Sequence, residues 1–260
     1  MARVIITLIG GPTALIEAGG FRFLTDPTFD PPGGDYAMPR VVLHKTAGPM
    51  LSADAVGPID VVLLSHDQHA DNLDHAGRAF LPKAGRVLTT VAGAERLGGR
   101  AEGLAPWATT RVTNRAGRAV VITATPARHG LAGIEPLSGE VTGFVLDFGD
   151  GPTRPIYVTG DTVWFEGVAE VARRFRPGIV MPFAGASRPI GPFDLTMDTN
   201  DTVEVAHRFG NAVIVPIHTD SWAHFTQDRE DLRKAFVALG LIPRLVLLEP
   251  GVATTVEFPE

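Results

Sequence analysis

The 260 residues carry a formal net charge of −6, 45% hydrophobic side chains and no cysteine. Without thiols, disulfide scaffolds, thiolate catalysis and sulfur-based zinc sites are excluded. The acidic balance argues against nucleic acid as a partner, and the apolar content argues against disorder.

The first apolar run, Val4 to Ile9, is cut by Gly10, Gly11 and Pro12. It is too short for a secretory leader and reads as a strand over 3–9. Short β-branched runs bounded by Gly, Pro or Asp predict further strands near 13–17, 21–25, 60–65, 86–90 and 119–125. The same pattern recurs near 141–148, 155–159, 178–183, 212–217 and 243–249. Weaker helical signals lie at 52–56 and 72–80. Helical spacing is clearer over 166–175, where Val168, Val171 and Phe175 recur. It returns over 198–209 with Val203, Val205 and Phe209, behind a cap at Thr196 or Asp198. A third helix is expected over 228–239, carrying Leu232, Phe236 and Leu239, with Gly240 as its stop. Many strands, fewer helices, no linker and no short repeat predict one domain over 1–260, its sheets covered by helices. No stretch approaches the roughly 18 apolar residues of a membrane span, so a soluble cytoplasmic protein is expected.

The chemistry concentrates where four of these strands end. The run Ile59 to Ser65 leads into His66, Asp67, Gln68, His69, Ala70, Asp71 and Asn72. Val120 to Thr125 is followed by His129, Ile156 to Thr159 by Asp161, and Ala212 to Ile217 by His218. A single histidine after a strand is more often an ordinary polar residue than a ligand. Four such endings together are what a metal site needs, because rigid strands aim side chains and loops leave an open face. Imidazoles and carboxylates without thiolate suit zinc, manganese or iron.

These residues, in this order, resemble the metallo-β-lactamase superfamily. The family's His-x-His-x-Asp-His turn is matched by His66 to Asn72, its third histidine by His129, its bridging aspartate by Asp161 and its last histidine by His218. The segments Ala14 to Glu17, Leu24 to Pro27 and Trp222 to Phe225 are similar to the branch containing ascorbate-6-phosphate lactonase. The motif departs from the pattern twice. One extra residue precedes Asp71, so His69 or Gln68 fills the second-histidine place, and His69 is favoured as the better ligand. Asn72 stands where the family has a histidine for the second metal, and its carbonyl oxygen suits harder cations.

The resemblance implies an α/β (α+β) fold, a four-layer αββα sandwich. It implies a first metal site of His66, His69 and His129, a second of Asp71 and His218, and Asp161 bridging them. The expected cofactor is a divalent metal, one or two per chain, zinc or manganese foremost and iron open. The expected activity is hydrolysis of a lactone, ester or phosphodiester by activated water. Asp71 would orient that water, and His224 would donate a proton or hold an anion. The alternatives are a degenerate metal-binding or sensor protein without hydrolytic activity, and an iron-dependent oxidoreductase. A small-molecule substrate is expected, with neither nucleic acid nor membrane as partner, and homo-oligomer formation stays open. Asp26 reads equally as a support for a ligating histidine or as an Asp-Pro turn. Asp67 and Asp74 read as helix caps, His75 and His207 as surface residues, and Arg188 as a solvated side chain. His44 reads as structural.

Overall fold

The computed structural model describes residues 3–149 and 153–258. Strands β1 (Val4–Gly10), β2 (Thr13–Ala18) and β3 (Phe21–Thr25) form an antiparallel meander. Gly19 and Gly20, at φ +60° and +82°, close the β2–β3 turn with the two left-handed residues that a tight hairpin requires. A separate hairpin, β4 (Asp35–Ala37) and β5 (Val42–His44), leads to α1 (Ala53–Val56), β6 (Val61–Leu63) and α2 (His75–Phe80). Next come β7 (Arg86–Thr89), α3 (Val91–Leu97), β8 (Ala101–Gly103), β9 (Thr109–Thr113) and β10 (Ala119–Pro126). The chain continues through α4 (Glu135–Ser138), β11 (Thr142–Asp147), β12 (Ile156–Val158), α5 (Glu166–Phe175) and β13 (Ile179–Met181). It ends with α6 (Thr199–Arg208), β14 (Val213–Ile214), α7 (Arg229–Ala238) and β15 (Thr254–Val256).

Among the described residues, one sheet has seven strands in the order β15-β1-β2-β3-β6-β7-β8, and a second has six in the order β14-β13-β12-β11-β10-β9. Three apolar clusters define the layers. Ile6, Phe23, Leu63, Ile122, Phe144 and Met181 belong to the core between the two sheets. The outer face of the first sheet packs Leu24, Val62 and Leu64 against Val56 of α1 and Phe80 of α2. The outer face of the second packs Tyr157 and Val180 against Val168, Val205 and Phe236 of α5, α6 and α7. This is the αββα sandwich, with each sheet apolar on both faces as buried parallel and mixed strands must be.

The helix caps follow from side-chain chemistry. Asp198 accepts from the Asp201 backbone N–H, and Asp228 and Asp231 form a reciprocal capping box. Asp74 caps α2, whereas Asp67 forms a forked ion pair with Arg96 and caps no helix. The strand expected over 243–249 is a 3-10 turn, Ile242–Arg244, followed by a single bridge from Leu245 to Ile214. Pro243 within that turn lacks the N–H a ladder requires. No described helix is long and apolar enough to cross a membrane.

Candidate metal centre

The four strand ends meet at one edge of the sandwich. Asp26 Oδ1 accepts the Ser65 backbone N–H at 2.6 Å and holds the exit of β6. The turn beyond it is closed by the Asn72 and Leu73 amides donating to the His69 carbonyl at 3.2 and 2.9 Å. Gly160, at φ +64°, lets Asp161 follow β12 closely. A Cβ there would sit 2.6 Å from the Thr142 carbonyl oxygen. His218 has φ +59° and is locked by its N–H donating to the Gly11 carbonyl at 2.9 Å. A non-glycine residue in that region is strained, and such strain concentrates where a side chain must be aimed.

His66 Nε2 lies 2.9 Å from His69 Nδ1, and His129 Nε2 lies 3.2 Å from the same atom. His129 Nδ1 donates to the Leu195 carbonyl at 2.9 Å, which leaves the lone pair of the neutral ring on Nε2. One polar atom from each of His66, His69, His129 and Asp161 lies within 4.8 Å of the others, and the same holds for Asp71, Asp161 and His218. Asp161 is common to both groups. Its Oδ2 is 3.7 Å from His129 Nε2, and its Oδ1 is 3.5 Å from His218 Nε2. His224 Nε2 lies 2.9 Å from Asp71 Oδ2. Gln68 joins neither group; His69 is the side chain that faces the other imidazoles.

Burial sets the charge states. It lowers the pKa values of His66 and His69, and brings those of His129 and His218 down to about 3. The four rings are therefore neutral lone-pair donors at physiological pH. Burial, with the nearby charges of Asp71 and Asp26, raises Asp161 well above the usual carboxylate range. Asp71 is buried too, but the His224 hydrogen bond and neighbouring imidazoles outweigh burial and hold its carboxyl below that range. Both His218 ring nitrogens, Asp71 Oδ1 and Asn72 Oδ1 are buried without a hydrogen-bond partner. Of these, Asp71 and His218 belong to the second donor group, where buried unpartnered ligand atoms fit a cation better than a packing role.

Other sequence candidates lie apart. The His75 side chain is 85% exposed beside Asp30, and His44 pairs with Asp35 at 2.5 Å on the outer hairpin. Arg188 is exposed and bound to Asp194 at 2.6 Å. Asp26 has the left-handed φ of +24° and grips Ser65, whose Oγ is 2.9 Å from His66 Nδ1. It thus occupies a turn and also steadies a histidine through one intermediate. The sequence reading missed Lys45, which is buried and paired with Asp74 at 2.7 Å. It also missed the hairpin that bears it. A cavity of about 150 Å³ opens onto His69, Asp71 and His129.

The family model for the beta-lactamase superfamily domain matches residues 21–219. The chain belongs to that superfamily. The UPF0173 protein YddR of Bacillus subtilis is 25% identical over 260 residues, covering 96% of this chain and 99% of the relative. A UPF0173 metal-dependent hydrolase of Pelotomaculum thermopropionicum is 30% identical over 255 residues, covering 95% and 97%. Among solved structures, a possible metal-dependent hydrolase from Veillonella parvula superposes with a TM-score of 0.85 at 21% identity, covering 98% of this chain and all 100% of that one. An isothiocyanate hydrolase from Delia radicum gut bacteria superposes with a TM-score of 0.81 at 24% identity, covering 98% and 100%. This superfamily member is a metal-dependent hydrolase with the metallo-β-lactamase fold.

Proposed function

We propose that His66, His69 and His129 hold one divalent metal ion, that Asp71 and His218 hold a second, and that Asp161 is shared. The reaction is hydrolysis of a lactone, ester or phosphodiester. The observation that carries this reading is the convergence of six buried donors, from four strand ends, within 4.8 Å in two overlapping groups. Neutral imidazole nitrogens and carboxylate oxygens suit zinc or manganese, and iron as well. A bound ion of this kind lowers the pKa of water toward ~7 and polarises a carbonyl or phosphoryl oxygen.

The protein's own groups supply direction. The Leu195 carbonyl fixes the His129 tautomer, as outer hydrogen bonds to ligating histidines do. Asp71, kept ionised, orients the attacking water by accepting its hydrogen bond. The water oxygen bonds to the electrophilic carbon or phosphorus while the bond to the leaving oxygen breaks. The proton lost by water passes along the Asp71–His224 contact, 2.9 Å long, to that leaving oxygen.

Elemental analysis of protein purified without chelator tests the reading, beside His129→Ala. Two equivalents of metal in the parent, reduced in the variant, are expected, and a single equivalent would overturn the second site. No metal after reconstitution with zinc, manganese and iron would overturn it.

A further inference from the structure

The cavity over the candidate centre is walled by three segments distant in sequence. Met38, Val41 and Leu43 come from the β4–β5 hairpin, Pro136 and Leu137 from α4, and Ile190 and Leu195 from the loop before α6. Its floor is His69, Asp71 and His129. Ser138 and Ser187 are its uncharged polar lining residues. The charged side chain on the wall is Arg40, exposed at the turn of the hairpin. Arg188, in the same loop as Ile190, turns to Asp194 at 2.6 Å. A charged substituent held against the apolar side chains of Met38, Val41, Leu43, Leu137 and Ile190 would lose its hydration there. An apolar cavity of about 150 Å³ is the size that takes a benzene ring.

We propose that this chamber selects substrates whose group attached to the reacting carbonyl is uncharged, apolar and about six carbons in size. The inference rests on the hydrolase reading and adds the substrate class: neutral esters or lactones of short aliphatic or simple aromatic acids. Apolar contact of this kind is made equally in the bound substrate and in the transition state, so it acts mainly through KM.

The test is pH-stat hydrolysis of ethyl acetate, butyrate, hexanoate and decanoate by the metal-loaded protein. Monoethyl adipate is added as a charged partner of the same length as the hexanoate. With ethanol as constant leaving group, kcat/KM rises about fourfold per added CH₂ up to hexanoate. It falls by decanoate, and adipate lies at least about tenfold below hexanoate. A flat series, or preference for adipate, overturns the inference and leaves the hydrolase reading standing. If no ester is turned over, that reading fails for esters, and calorimetry decides the chamber. Binding of 1-hexanol about tenfold tighter than 6-hydroxyhexanoate supports an apolar, uncharged class. Equal binding, or none, overturns it. Val41→Trp and Leu137→Trp narrow the chamber from separate walls. Each lowers the hexanoate-to-acetate ratio about tenfold, and an unchanged ratio in both overturns the assignment.

Discussion

Asn72 stands where the superfamily motif carries a histidine, and its amide shows what replaces it. Nδ2 is placed to donate to Asp161 Oδ1 at 3.3 Å. An amide nitrogen donates and does not ligate, so the residue steadies the shared carboxylate in this orientation. Asp201 presents a different conflict. It sits in the first turn of α6, where the helix dipole favours a negative charge, and accepts the Trp164 N–H at 2.8 Å. Yet burial, with Asp198 and Asp194 nearby, raises its pKa from 3.8 to about 6. The folded chain then binds this proton more tightly than the unfolded chain does. The stabilisation is complete below the ordinary carboxylate pKa and is lost as pH rises through about 6. Asp201→Asn keeps an acceptor for Trp164 and removes the charge. Its melting temperature should exceed the parent's by roughly 2–4 °C at pH 7, for a gain of about 1 kcal/mol, and converge with it at pH 4. A variant less stable than the parent at pH 7 would refute the linkage.

At the scale of elements, Lys45 fastens three pieces of chain that surround the site. Its Nζ meets Asp74 Oδ2 at 2.7 Å, with both side chains almost fully buried at 2% and 0% exposure. Asp74 also accepts the Phe29, Asp30 and Gly77 amides, which ties the loop after β3 to α2. Lys45 bridges Trp222 and lies 5.5 Å from its ring, beside the segment bearing His224. The Thr46 and Ala223 amides complete that join by donating to Ser221 and His44 carbonyls at 2.8 and 3.0 Å. Removing one member of a buried pair costs about 3–5 kcal/mol, because the other charge stays behind. Lys45→Met should therefore lower the melting temperature by about 10 °C and speed hydrogen exchange at the Thr46 and Ala223 amides. Unchanged exchange there would show that the hairpin docks without the pair. None of this was legible in the sequence, because Val42-Leu43-His44-Lys45 shows no period and a lone lysine reads as solvated. The buried strands were legible, since runs such as Val61-Val62-Leu63 are apolar on both faces. The four strand-end donors were legible for the same reason, each following an unmistakable run. The apolar residues 245–248 misled because Leu245 faces the outer core and Val246 the inner one, as in a strand. Among the described residues a single bridge forms there, to Ile214. The short β8 and β9 were missed because they are largely exposed and carry no apolar run.

For the whole molecule, the proposed ligation by the six donors would couple metal binding to the packing of the two sheets. His66, His69 and Asp71 follow β6 of the seven-stranded sheet, while His129, Asp161 and His218 follow β10, β12 and β14 of the six-stranded sheet. An ion held by this set joins both sheets at their shared edge, and its binding energy adds to the stability of the sandwich. Without it, three imidazole nitrogens face one another at 2.9 and 3.2 Å with too few protons to satisfy them all. Binding only the folded state at a free metal concentration 100 times Kd stabilises by about 2.7 kcal/mol. At roughly 2–4 °C per kcal/mol, zinc or manganese added to chelator-treated protein should raise the melting temperature by about 5–10 °C. His218→Ala, which removes a donor from the second group only, should retain part of this rise, whereas His129→Ala should lose more. His75→Ala, altering an exposed ring, should retain all of it. Differential scanning calorimetry across a metal titration separates these cases. Equal melting temperatures with and without metal in the parent would mean that the six donors do not hold an ion across the sheets.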